Sequence, residues 1–144
     1  MSNTLSETMY TAEVEVTGGR EGHASSSDGN LDLTLQRPAQ TGKTTGATNP
    51  EQLFAAGYAA CLQSALIGTA SRAGHNASKS VINAAVYLGK TEAGGYGLAV
   101  AFDVTMPGLD QATAEDLVAT AHAGCPYSNA VKGNIDVSFS VSVS

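Results

Sequence analysis

The reactive side chains of this sequence centre on two cysteines, Cys61 and Cys125. They read in two ways. One is a pair of buried structural thiols, the ordinary role of a free cysteine in a core. The other is a peroxidatic and resolving pair. In that chemistry a thiolate attacks a peroxide oxygen and becomes a sulfenic acid, and a second thiol condenses with it to a disulfide. Cys61 falls in the middle of a long apolar helix. Cys125 closes a second helical stretch and precedes Pro126 in the polar, turn-rich run GCPYSNA, where a thiol can move and meet another. Spacing alone does not choose between the readings. A zinc site fits less well, because two cysteines with no second pair and no nearby histidines fall short of the ligand count.

A free thiol titrates near pH 8.5, so useful thiolate at neutral pH needs a cation or a helix N-terminus nearby. Cys61 is too deep in its helix for the N-terminus to help. Arg20, Arg37 and Lys43 are the cations in the segments before that helix, and Arg20 alone sits beside a tight turn. Glu51 could hold such an arginine through a bidentate pair. The plain alternative is an exposed arginine and a first-turn glutamate favoured by the helix dipole. Ten residues of ideal helix also separate Glu51 from Cys61 by about 15 Å. His122, three residues before Cys125, is a candidate base. Phe54, Tyr58 and Tyr127 either line an apolar pocket or pack in the core.

The elements that must carry these residues follow from pattern. Residues 49–74, NPEQLFAAGYAACLQSALIGTASRAG, read as one helix with Asn49 as cap, Pro50 at its first position, Gln52 as capping-box partner and Gly74 at its close. Between Glu51 and Arg72 it carries no charge, so it is expected to be buried on most of its faces. Before it, Tyr10–Thr17 alternate as a half-buried strand. Gly18-Gly19 make a turn, a polar segment runs to Ser27, and Asp28-Gly29 form a hairpin ahead of alternating Leu31, Leu33 and Leu35. Arg37–Thr48 read as a loop. After the helix, Ile82–Leu88 and Leu98–Met106 alternate around Gly94-Gly95, and Asp110–Ala123 read as a helix capped by Asp110 or Thr113. Ile135–Val143 alternate as a last strand. The expectation is an α+β class, with antiparallel strands in the order β-β-β-α-β-β-α-β around a long buried central helix. The small residues Ala55, Ala56, Gly57, Ala59 and Ala60 would let a second subunit approach, which favours a homodimer.

At 144 residues the chain reads as one domain over 1–144. Its net charge of −6 and lack of a basic run argue against nucleic acid and an anionic membrane surface as partners. The central helix is long enough to span a membrane but is mostly Ala, Gly, Ser and Thr, so no membrane association is expected. MSNTLSETMY has neither the charge nor the apolar core of a signal peptide, and a cytoplasmic location is expected.

Three stretches, GGREGHASSSDGNLDL at 18–33, TNPEQLFAAGYAACLQSAL at 48–66 and AHAGCPYSNAVKGNIDV at 121–137, give the sequence a resemblance to the OsmC/Ohr family of thiol peroxidases, on its organic hydroperoxide resistance (Ohr) branch. The resemblance covers nearly the whole chain. It implies that Cys61 is the peroxidatic and Cys125 the resolving cysteine. Arg20 would stabilise the thiolate and orient the peroxide, and Glu51 would pair with Arg20. It implies an intertwined homodimer with sites at the subunit interface. The implied substrates are organic hydroperoxides, fatty-acid hydroperoxides among them. The implied reductant is a lipoylated protein, and no metal or organic cofactor is implied. The loop GKTTGAT at 42–48 departs from the Met-Gly-Gly type associated with the family, which bears on substrate choice and loop motion.

Overall fold

The structure, a computed structural model, describes residues 3–38 and 46–144. Lys43 and most of the divergent 42–48 loop lie outside the described residues. The chain divides into two compact units, Met1–Pro50 and Glu51–Ser144.

The N-terminal unit is a three-stranded antiparallel meander, as the turn signals predict. Strands β1 (Val14–Thr17), β2 (His23–Ser26) and β3 (Asp32–Thr34) lie in sequence order. Val16 pairs with Ala24, and Ala24 pairs with Leu33. The β2–β3 turn is tied by Asp28, which accepts from the Ser26 hydroxyl at 2.6 Å and the Asn30 N–H at 2.9 Å. Those bonds, Ser26 first, hold the Asp28 carboxyl below its ordinary range. Beyond β3, Leu35 forms a parallel bridge with Thr48. One expectation needs correcting: β1 is not half-buried. Val14 and Val16 are exposed along with the polar residues between them. Alternation marks a face that can be buried, and along β1 that face stays exposed even though Ala24, the partner of Val16, is buried.

The C-terminal unit contains the core. Helix α1 (Pro50–Arg72) begins at the predicted proline. Past its end, the His75 N–H returns to the Ala70 carbonyl at 2.8 Å. Strands β4 (Val81–Lys90) and β5 (Tyr96–Thr105) form the expected antiparallel hairpin. Helix α2 (Gln111–Gly124) is capped by Asp110, whose carboxylate accepts from the Thr113 N–H at 2.9 Å. A short helix, α3 (Pro126–Val131), follows where the sequence suggested a turn, and β6 (Val137–Ser142) ends the fold. The class is α+β, as expected.

Two details depart from the expectation. First, β6 pairs with β5 in parallel, from Val100↔Val137 to Thr105↔Ser142. The intervening α2 and α3 carry the chain back across the sheet, so β6 starts from the same end as β5. Second, α1 is not buried on most faces within this chain. Tyr58, Leu62, Leu66 and Ala70 form one buried stripe at four-residue spacing, while Ala56, Ala60 and Ser64 remain exposed. A single sheet covers one side of a helix. The stripe meets Val100, Phe102 and Val104 of β5 and Ala114, Leu117, Val118 and Ala121 of α2 in one hydrophobic cluster. Phe102 is its centre, with ring centroids 4.7 Å from Tyr58 and 5.4 Å from Phe139.

Candidate active site

Helical spacing puts Tyr58 and Cys61 three residues apart on neighbouring turns of α1. Opposite them stands Cys125. It closes α2 and opens α3, with an extended backbone (φ −76°, ψ 124°). Pro126 explains that geometry. Its ring pushes the preceding residue out of the helical region, and its fixed φ suits the first position of a new helix. The Cys125 carbonyl then accepts from the Asn129 N–H at 3.0 Å. Cys125 is therefore a fully buried junction residue rather than part of a mobile turn.

This arrangement brings the two thiols together. Cys125 Sγ lies 3.6 Å from Cys61 Sγ, and both cysteines are free. Cys61 is half-buried. Burial pushes its thiol above the ordinary range. The backbone N–H of Tyr127 opposes that shift, and the neighbouring Cys125 adds to it. Thiolate at neutral pH therefore calls for a positive charge from elsewhere.

A second polar contact runs beside the thiols. Tyr58 Oη and Ser128 Oγ are 2.7 Å apart in a fully buried pair, and Ser128 Oγ is also 2.7 Å from His122 Nδ1. Burial raises the Tyr58 phenol, the Ser128 bond counters it, and the two thiols raise it further. His122 is shifted down, first by burial and then by the charge of Lys132. Its ring stands edge-on to Phe139 at 4.9 Å. His122, the candidate base of the sequence, has its Nδ1 engaged with Ser128. Tyr58 joins polar bonding to core packing, and Ser128 is a site residue that the sequence reading missed. The available signal was the Cys-Pro pair, which as cap and first helical position puts Ser128 one turn on from Cys125.

Tyr127 lies over α1 at Gly57. A Cβ added at Gly57 would meet the Tyr127 hydroxyl at 3.3 Å, so glycine makes room for the ring. A cavity of about 290 Å³ is lined by His122, Ser128, Lys132 and Val137, among others.

Glu51 lies half-buried in the first turn of α1. Arg20 belongs to the N-terminal unit, half-buried in a 3-10 turn, Gly19–Glu21, between β1 and β2. The turn is closed by a bond from the Glu21 N–H to the Gly18 carbonyl and by tight packing at Gly22, where a Cβ would fall 1.7 Å from the Thr17 carbonyl oxygen. Arg37, the other described candidate cation, has Nε 3.4 Å from Glu21, both side chains being exposed.

Residues 40–140 match the family described as OsmC-like protein. The chain belongs to the OsmC family. Within it, the chain is 46% identical over 135 residues to an organic hydroperoxide resistance protein of Xanthomonas axonopodis pv. citri, covering 92% of this chain and 94% of that one. It is 45% identical over 140 residues to the organic hydroperoxide resistance protein OhrA of Bacillus subtilis, covering 95% and 99%. The crystal structure of OhrB from the same bacterium superposes with a TM-score of 0.85 at 44% identity, covering 93% of this chain and 99% of that chain. This OsmC-family chain thus shares the α+β fold of those solved relatives.

Proposed function

We propose that this chain is a cysteine-based, dithiol-dependent peroxidase that reduces organic hydroperoxides, fatty-acid hydroperoxides among them, to alcohols. The hydroperoxide-defence role follows from relatives that bear the name organic hydroperoxide resistance protein. The observation that carries the chemistry is the 3.6 Å approach of Cys125 Sγ to Cys61 Sγ.

In the proposed cycle, Cys61 thiolate attacks the distal oxygen of ROOH. The O–O bond breaks, the alkoxide leaves and takes a proton as ROH, and Cys61 becomes a sulfenic acid. The Cys125 sulfur then attacks the sulfenic sulfur. The S–O bond breaks, hydroxide leaves with the Cys125 proton as water, and a disulfide forms. An external dithiol, proposed to be a lipoylated protein, reduces it by two exchanges and is itself oxidised to a disulfide. Arg20 is proposed to lower the Cys61 pKa against the burial that raises it, with Glu51 holding Arg20. The cycle needs no resident metal or organic cofactor. We further propose a cytoplasmic location and a homodimer, the latter supported by the small residues left exposed on α1.

The test is stopped-flow consumption of an organic hydroperoxide and of hydrogen peroxide, side by side, with dihydrolipoamide as reductant. Fast turnover of the organic peroxide, slower turnover of hydrogen peroxide and no turnover by Cys61→Ser are expected. Cys125→Ser should react once and fail to recycle. A disulfide that forms without turnover would make the chain a redox-sensing domain, and two unreactive thiols would return both cysteines to core packing.

A further inference from the structure

The thiol contact has a partner in the fold. On α1, Tyr58 and Cys61 are three residues apart, a rise of about 4.5 Å. On the facing segment, Cys125 and Ser128 have the same separation, as cap and third residue of α3. The two pairs meet rung by rung, sulfur to sulfur at 3.6 Å and oxygen to oxygen at 2.7 Å. Ser128 Oγ then continues to His122 Nδ1 on the last turn of α2. A serine hydroxyl has one proton to donate and two lone pairs to accept with, so it can serve the phenol and the imidazole together.

The consequence lies at Cys125. That residue is the bend between α2 and α3, so the angle of the bend sets where its sulfur points. The Ser128–His122 bond closes across the bend, and the Tyr58–Ser128 bond ties the bend to the helix that carries Cys61. Both Tyr58 and Ser128 are buried, at 0% and 2% exposure, so water cannot replace the bond between them.

We propose that Tyr58, Ser128 and His122 are positioning residues for the thiol pair, their hydrogen-bonded chain holding Cys125 within reach of Cys61 and thereby favouring the disulfide over the dithiol. This inference rests on the Cys61–Cys125 disulfide of the proposed cycle. Two thiols held in register have a high effective concentration, and the chain restrains the reduced state before any bond forms. Loosening the bend lets the sulfurs separate in the dithiol and shifts the equilibrium toward it.

The experiment equilibrates the full-length protein, without peroxide, in dithiothreitol redox buffers of graded potential. The dithiol and disulfide forms are then trapped by alkylation and counted by mass spectrometry. Tyr58→Phe should shift the equilibrium about tenfold toward the dithiol, about 30 mV more positive for a two-electron couple. Ser128→Ala should shift it at least as far. The double variant should go no further than Ser128→Ala, because both changes remove the same bond. A role confined to general stability would lower the melting temperature of both redox forms and leave the potential where it was. Potentials of folded Tyr58→Phe and Ser128→Ala within twofold of the parent ratio would overturn the proposal. If Ser128→Ala does not fold, Tyr58→Phe, which deletes one oxygen atom, decides alone. A parent that forms no disulfide at any buffer potential would overturn the proposed cycle and this inference with it. A parent that oxidises normally beside unmoved variants would overturn this inference only.

Discussion

Gly57 gives a quantitative test of how the thiol site is packed. Substituting alanine adds one methyl group to the middle of α1, where the backbone is already helical. The gain is the helix propensity of alanine over glycine, about 1 kcal/mol. The cost is steric. The new Cβ would stand 3.3 Å from the Tyr127 hydroxyl oxygen, 3.5 Å from Cε2 and 3.7 Å from Cζ. The first distance is tight by a few tenths of an ångström, and the other two are ordinary contacts. What gives way decides the sign. The atoms are the far end of a side chain that is 42% exposed, and solvent lies beside it. Tilting that ring by a modest torsion costs about 0.5 kcal/mol. The balance is a stabilisation of about 0.5 kcal/mol, or about 1–2 °C in melting temperature.

The thiol supplies a second readout. Tyr127 acts on Cys61 through its backbone N–H, not through its ring. A tilted ring leaves that bond in place, so the pH profile of Cys61 alkylation should match the parent. Gly57→Val is the contrasting case. Its branched side chain has no such clearance, must expel the ring from its packing 5.9 Å from Tyr58, and should lose about 1–3 kcal/mol. Urea denaturation measures the stabilities, and iodoacetamide rates across pH measure the thiol. A loss above about 1 kcal/mol for Gly57→Ala would refute the reasoning, because it would mean that the ring cannot yield.

The remaining predictions concern Gly22 and His122. Gly22→Ala puts a Cβ 1.7 Å from the Thr17 carbonyl oxygen, and the obstacle is backbone rather than a mobile side-chain end. It should cost about 3 kcal/mol or more and disrupt the turn that carries Arg20; amide exchange in β1 and β2 equal to the parent would contradict this. His122 is neutral in both folded and unfolded chains well above pH 6.5. Since burial and Lys132 lower its folded-state pKa, the unfolded chain takes up the proton first on acidification. Stability should fall as pH drops below about 6.5 and level off once the folded protein is also protonated. His122→Gln should flatten that part of the urea-midpoint profile, and an unchanged slope would remove His122 as its source.

What the sequence made legible divides along a physical line. Alternation at Ile82, Ala84 and Val86 and at Val100, Phe102 and Val104 located a hairpin whose inward face is observed over those residues, which pack in the hydrophobic cluster of their own unit, while Leu88, in the same alternation, is exposed near the hairpin's end. The same alternation at Val14 and Val16 named a face that this chain leaves exposed. Periodicity states which side of an element can be buried, not what covers it. The direction of β6 was hidden for a related reason. Its alternation is the same whether it pairs parallel or antiparallel, and the choice is made by where α2 and α3 deliver the chain.

The candidate site shows the same limit at closer range. Both thiols were visible as residue types, yet their meeting depends on Pro126 starting a helix instead of ending one. Proline stops a helix that precedes it and suits the first turn of one that follows, so GCPYSNA supports either reading until the second helix is seen. Taken as a turn, the run makes Cys125 mobile and Ser128 incidental. Taken as cap, first position and third residue of α3, it fixes Cys125 at 3.6 Å from Cys61 and places Ser128 between Tyr58 and His122. A side chain with weak chemistry of its own thus gains its part from one backbone junction, and that junction is where a search for further determinants of the thiol pair should begin.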